Sequence, residues 1–177
     1  MNVSNLAFYI GKDSNRNVAI YSFNMVGDSP DNKSIDLFNP LRVYLIMREK
    51  DGSPIEELTT LEKTIGYGYD FIDNQENTSD LKIRIRALPS ETITIKLVDN
   101  KYKCTIPIHS KRDGSLKDCN LKKILLHNSG PLNYNIDSID IIYEDPDTGK
   151  LMTDVKARPS SGWDNESTPF NNNSGIL

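Results

Sequence analysis

The feature that most constrains this chain is a strict two-residue period that runs, with two interruptions, from Leu81 to Ile108. Leu81, Ile83, Ile85 and Ala87 alternate with Lys82, Arg84 and Arg86. Ile93, Ile95 and Leu97 alternate with Thr92, Thr94 and Lys96, and Tyr102, Cys104, Ile106 and Ile108 continue the pattern after Asp99-Asn100. Successive side chains of a strand point to opposite faces, so each run has one apolar and one wet face. A helix would need apolar residues three and four apart, which these runs lack. Asp99-Asn100 is a tight-turn dipeptide. The segment predicts three consecutive antiparallel strands.

Similar patterns lie on both sides. Leu6, Phe8 and Ile10, then Val18 to Phe23 after a polar Lys12–Asn17 stretch, read as a hairpin. Gly27–Asn39 reads as an irregular loop. Leu41 and Val43–Met47 form an apolar run broken by Arg42, too short for a membrane span and rich in strand formers, with Pro40 at its entrance. The run predicts a strand covered on both faces. Thr59-Thr60-Leu61-Glu62 matches a capping box, Leu58, Leu61 and Ile65 share a helical face, and Gly66 supplies a left-handed stop. One short helix is therefore expected there. Asp73–Asp80 and Lys111–Asn120 read as polar loops, and Leu121–His127 and Ile136–Tyr143 as strands. Glu144–Lys150 reads as a type I turn with Gly149 placed for a bulge, leading to a last strand through Val155. The predicted architecture is all-β: an antiparallel two-sheet β-sandwich of about eight or nine strands with one short helix.

The 177 residues suit one domain with a real core. The expected division is a sandwich over residues 1–157 and a Ser/Asn-rich tail over residues 158–177. By composition the tail is mobile, with Trp163 and Phe170 as its candidate anchors on this molecule or a neighbour. No stretch approaches membrane-span length, and the start lacks the charged and apolar regions of a secretory leader, so a cytoplasmic location is expected. Cys104 and Cys119 are then expected to be free thiols, Cys104 pointing inward, although a bridge across the intervening loop stays open.

Charge is distributed by region. Residues 1–80 carry net −6, residues 81–123 net +7 and residues 124–177 net −5. A positive centre between negative flanks fits an anion-binding surface, or a self-complementary one in which one molecule's basic region meets another's acidic region. The ordinary alternative is a solvated sheet face. Lys82, Arg84, Arg86, Lys96, Lys101 and Lys103 are the candidate surface.

Candidate chemistry is sparse. His109, His127, Cys104 and Cys119 could supply four zinc ligands, but their spacing matches no common finger. Neither cysteine sits at a helix start or in a glycine-rich turn that would activate it. Glu144, Asp145 and Asp147 resemble calcium ligands in type, yet Asp-Pro-Asp-Thr-Gly is ordinary turn chemistry. Gly66-Tyr67-Gly68-Tyr69 lacks the pattern of a phosphate-binding loop. No catalytic constellation, metal site or cofactor site is expected.

The phrases Pro40-Leu-Arg-Val-Tyr-Leu-Ile, Leu58-Thr-Thr-Leu-Glu and Gly66-Tyr-Gly resemble those of a family of small β-rich domains known only as a domain of unknown function. In that family P-V-x-V-Y-W precedes L-T-x-x-E and A-Y-G, and Tyr143-Glu144 and Thr148-Gly149-Lys150 also fit it. The resemblance covers most of residues 6–156, with Ile46 and Gly66 replacing the usual Trp and Ala. It implies a β-rich fold and carries no activity.

The expected function is non-enzymatic: a structural or self-assembling protein that packs by charge complementarity and an anchored tail, with further copies of itself as partner. The alternative is a binding module for an anionic ligand or a glycan. Neither a membrane nor nucleic acid is an expected partner.

Overall fold

A computed structural model of the chain describes residues 5–13, 17–27, 33–46, 56–57, 67–72, 80–86, 88–111, 113–128 and 136–158. Among these residues lie thirteen strands: β1 (Leu6–Lys12), β2 (Val18–Phe23), β3 (Met25–Val26), β4 (Ser34–Ile35), β5 (Leu41–Ile46), β6 (Glu56–Glu57), β7 (Tyr69–Phe71), β8 (Leu81–Ile85), β9 (Thr92–Val98), β10 (Lys101–His109), β11 (Leu116–Asn128), β12 (Ile136–Glu144) and β13 (Leu151–Ala157). No helix occurs among the described residues, and the capped helix expected over Thr59–Ile65 lies outside them.

The period-2 segments behave as their alternation requires. The β8–β9–β10 meander is antiparallel, with Ile83 opposite Ile93 and Cys104 opposite Ile95. Asp99 and Asn100 adopt φ of 49° and 59°, as a primed two-residue hairpin turn demands. The β1–β2 hairpin forms, with Tyr9 opposite Ile20. Gly149 takes φ of 66° in the β12–β13 loop, where the Asp145 carboxylate accepts the amides of Asp147 and Thr148. A Cβ at Gly149 would meet nothing, so its conformation and not crowding favours glycine there.

The predicted antiparallel sandwich is corrected to a curled, half-barrel mixed sheet. The sheet runs β6-β5-β2-β1-β11-β10-β9-β8-β7, and the β12–β13 hairpin branches from β11. β11 is responsible for the difference. The chain expected to be loop up to Asn120 is already strand from Leu116, giving β11 thirteen residues. One edge of β11 serves two neighbours, with Leu116–Asn120 antiparallel to β10 and Lys123–Leu126 parallel to β1. A register shift between Leu121 and Lys123, on the edge facing β12, bends the strand where this handover occurs. Alternation reports which face a residue occupies and not which strand lies alongside, so the parallel pairing left no trace in the pattern.

The two ends of the sheet approach each other through tyrosines. Tyr69 of β7 accepts a hydrogen bond from the Leu41 amide at 3.2 Å and donates to the Asn39 side-chain oxygen at 2.8 Å. Tyr21 of β2 donates to the Tyr67 carbonyl at 2.7 Å. Inside the curl lies one continuous core, including Phe8, Tyr21, Ile83, Ile93, Ile106, Leu121, Ile124 and Ile141. Burying each such side chain contributes about 1.5–3 kcal/mol. The double-sided burial expected for the 41–47 run holds in part: Leu41 and Val43 are buried, whereas Tyr44, Leu45 and Ile46 are half-buried and Arg42 is exposed. The expected 27–39 loop contains β4, which pairs with β3 as a separate two-stranded sheet.

Candidate functional site

The six basic residues of the central strands divide by partner. In register, Lys96 lies opposite Lys103, Lys82 opposite Thr94 and Arg84 opposite Thr92, so three neighbouring strands share one basic outer face. That face is partly neutralised by the chain's own acids. Arg86 forks onto Asp70 at 2.7 and 3.0 Å, and Lys96 meets Asp118 at 2.7 Å. Lys122 meets Glu144 at 2.9 Å and holds that carboxyl below its usual range, with Lys103 adding to the effect. Arg84, Lys101 and Lys103 make no ion pair with a described residue. Trp163 and Phe170 lie outside the described residues.

A second surface is the edge of the branch. β13 pairs with β12 on one side only, and among the described residues no strand pairs with its other edge. Its alternation leaves Leu151, Thr153, Val155 and Ala157 on one face, with Leu151 67 % and Val155 62 % exposed. The two charges inside the strand occupy the opposite face. Asp154 is half-buried, and Lys156 crosses to Glu91, between β8 and β9, at 2.8 Å. The charges that usually guard a free edge are thus turned away from its apolar face.

The third feature is a cavity of about 320 Å³ at the end of the molecule where the β10–β11 and β12–β13 loops meet. Ile108, Cys119, Tyr143 and Met152 form its apolar part, and Lys111, Lys117, Asp147 and Thr153 are among its polar groups. Lys117 is ion-paired with Asp147. Cys104 and Cys119 are unpaired and buried. Burial pushes both thiols up, the reverse of what a nucleophile needs. Among the described residues no group of three or more His, Cys, Asp and Glu side chains could hold a metal ion.

His109 is exposed, its Nδ1 facing the Gly114 carbonyl. His127 ties three strands together. Its Nδ1 faces Asp13, just beyond β1, at 3.1 Å, and its Nε2 faces Asp140 of β12 at 3.0 Å. Only the protonated ring donates to both carboxylates. The Asp140 hydrogen bond first, then that of Asp13, raise the His127 pKa above its ordinary value. A folded pKa raised above the unfolded value gives stability that is full below about pH 6.5 and is lost as pH rises through the folded value. His127→Gln is therefore expected to cost about 0.5–1 kcal/mol in acid and less in alkali, as urea titrations at several pH values would show. An equal cost at every pH would contradict the charged clamp.

Sequence reasoning passed over Tyr143, Met152, Lys111 and the exposed face of β13 as site residues. One signal was available: Leu151-Met152-Thr153-Asp154-Val155 lacks the clean alternation of the earlier strands.

These features define an all-β domain built on a curled mixed sheet. The chain belongs to the family described as domain of unknown function DUF4833, whose model matches residues 8–154. No curated protein and no solved structure gives a match. Among the described residues no helix is long and apolar enough to cross a membrane.

Proposed function

We propose that this domain is a non-enzymatic, self-assembling module whose copies join through the free edge of β13. The exposed Leu151 and Val155, beside a strand edge that no other described strand pairs with, carry this reading. Two β13 strands related by a two-fold axis through Val155 would pair antiparallel, extending the sheet across the interface. That register places Asp154 of each copy opposite Lys156 of the other and Val155 opposite Val155. Opposite charges directly across a strand pair stabilise it, so Asp154 would add to the Glu91 carboxylate that Lys156 already meets. The basic outer face is a weaker candidate, because Asp70 and Asp118 already answer Arg86 and Lys96, and Glu144 answers the neighbouring Lys122. The two free, buried thiols accord with a reducing compartment such as the cytoplasm.

Sedimentation velocity over a concentration series tests the reading. The intact chain is expected to dimerise, and Val155→Lys to weaken the dimer by about tenfold or more, since two ammonium groups would then face each other. Val155 is largely exposed, so thermal unfolding of the variant should change little. A chain that stays monomeric up to its solubility limit, or a variant that dimerises as well as the parent, overturns the edge pairing.

A further inference from the structure

We propose that Phe38, at the tip of the β4–β5 loop, inserts into the cavity between the β10–β11 and β12–β13 loops of a second copy, joining molecules head to tail. The contact rests on the reading of the domain as self-associating, but not on the pairing of β13 edges.

The tip comes first. Phe38 is 93 % exposed and its neighbour Leu37 61 % exposed. A slack loop could fold such side chains back onto the core, but this one is fastened. The Asp36 carboxylate accepts the amides of Phe38 at 2.9 Å and Asn39 at 3.2 Å. The buried Asn24 side chain donates to Asp36 at 3.2 Å and to the Asn39 carbonyl at 2.9 Å, and accepts from Arg42 at 2.9 Å. The Asn24 amide donates to the Pro40 carbonyl and its carbonyl accepts the Asp36 amide, both at 2.8 Å. An apolar pair held outward by such a frame loses little freedom on docking, which is what lets a small contact bind.

The cavity supplies the match. Its volume is about 320 Å³, and about 150 Å³ is enough for a benzene ring, which leaves room for part of Leu37. Ile108, Cys119, Tyr143 and Met152 give it an apolar wall. Its charges cancel, because Lys111 and Lys117 stand against Asp145 and Asp147, and Lys117 is paired with Asp147. A lining with no excess charge favours an uncharged guest over an ion. Position makes the contact intermolecular. The Ile35 amide, three residues before Phe38, donates to the Tyr102 hydroxyl at 3.3 Å, and Phe23 packs on the same ring at 6.0 Å. Tyr102 lies at the start of β10, whereas Ile108 at its end lines the cavity. Tip and cavity therefore sit toward opposite ends of β10, about 20 Å of strand apart. The exposure of Phe38 shows that it does not fill the cavity of its own molecule. A knob at one end and a hole at the other make a heterologous contact, which can repeat from copy to copy.

Methyl NMR on full-length chains tests the contact, with Val155→Lys in every chain so that edge pairing does not contribute. The observed chain also carries Phe38→Ser, so it has a cavity and no knob, and its Met152 and Ile108 methyl groups report insertion. The unlabelled Val155→Lys chain is expected to shift both saturably, with a Kd on the order of a millimolar. The unlabelled Val155→Lys/Phe38→Ser chain is expected to bind at least tenfold more weakly. The Val155→Lys/Leu97→Ser chain, which loses an exposed leucine elsewhere, should bind as the Val155→Lys chain does. Phe38 is almost wholly exposed, so Phe38→Ser should leave the unfolding temperature nearly unchanged. No saturable shift at Met152 and Ile108, or equal shifts with and without Phe38 on the added chain, overturns the insertion. A loss with Leu97→Ser as large as that with Phe38→Ser overturns it too, since any apolar surface would then serve. Edge pairing is absent from every arm, so a failure here leaves the β13 dimer untouched, and a failure of that dimer in sedimentation leaves these arms to decide on their own.

Discussion

Phe8→Ala is expected to lower the free energy of unfolding by about 3–5 kcal/mol, the range for removing a fully buried aromatic ring. Phe8 has no exposed surface and stacks on Tyr21, with ring centroids 4.4 Å apart and planes 10° apart. Its loss would remove transfer energy and leave a space that the surrounding strands close only in part. The damage would extend beyond the ring itself, because Tyr21 positions the hydroxyl that reaches the Tyr67 carbonyl and draws the two ends of the sheet together. Small domains have only about 5–15 kcal/mol to lose, so the variant should unfold at a much lower urea concentration or fail to fold. Phe8→Leu keeps most of the volume and should cost less than half as much. A Phe8→Ala loss below about 1 kcal/mol would show that β1 and β2 do not belong to one continuous core.

Lys156→Met is expected to cost about 2–3 kcal/mol, well above an ordinary surface ion pair. The difference lies in its partner. The Glu91 side chain is only 7 % exposed, and among the described residues it has, apart from Lys156, only a long 3.4 Å contact from the Ser90 hydroxyl. Removing the ammonium would leave a buried carboxylate largely unanswered, whereas removing both charges need not. The double variant Glu91→Gln/Lys156→Met should therefore be more stable than the sum of the single losses implies, with a coupling of about 1–2 kcal/mol. Urea titrations of the four proteins measure it directly. A coupling near zero would mean that β13 is not fastened across the sheet through this pair.

How much of this was legible beforehand depends on the kind of information involved. Ile83, Ile93, Cys104 and Ile106 declared their inward face because alternation is a property of a single strand. Asp99-Asn100 and Asp145–Gly149 declared their turns because those side chains favour particular backbone angles. Direction and partnership are properties of pairs of strands, so the parallel register of Tyr9 against Lys123 was hidden. The start of β11 was hidden for a related reason. Leu116-Lys117-Asp118-Cys119 reads as polar loop, and it becomes strand because β10 supplies the hydrogen bonds and Cys119 fills a core position opposite Ile106. The basic residues were legible as a group, but their counter-ions Asp70 and Asp118 come from other strands. The cavity needed two loops some thirty residues apart to meet, as the Lys117–Asp147 pair shows.

The handover on β11 also sets an order in time. Asp13 and His127, which flank the parallel pairing, are 114 residues apart in the chain. During synthesis the N-terminal hairpin emerges early but cannot take its final neighbour until most of the domain has been made. Until then β1 offers an open edge to whatever is nearby, and closing so long a loop is slow. The growing chain is thus most exposed to mispairing midway through its synthesis, before the strand that seats both β1 and β10 has left the ribosome.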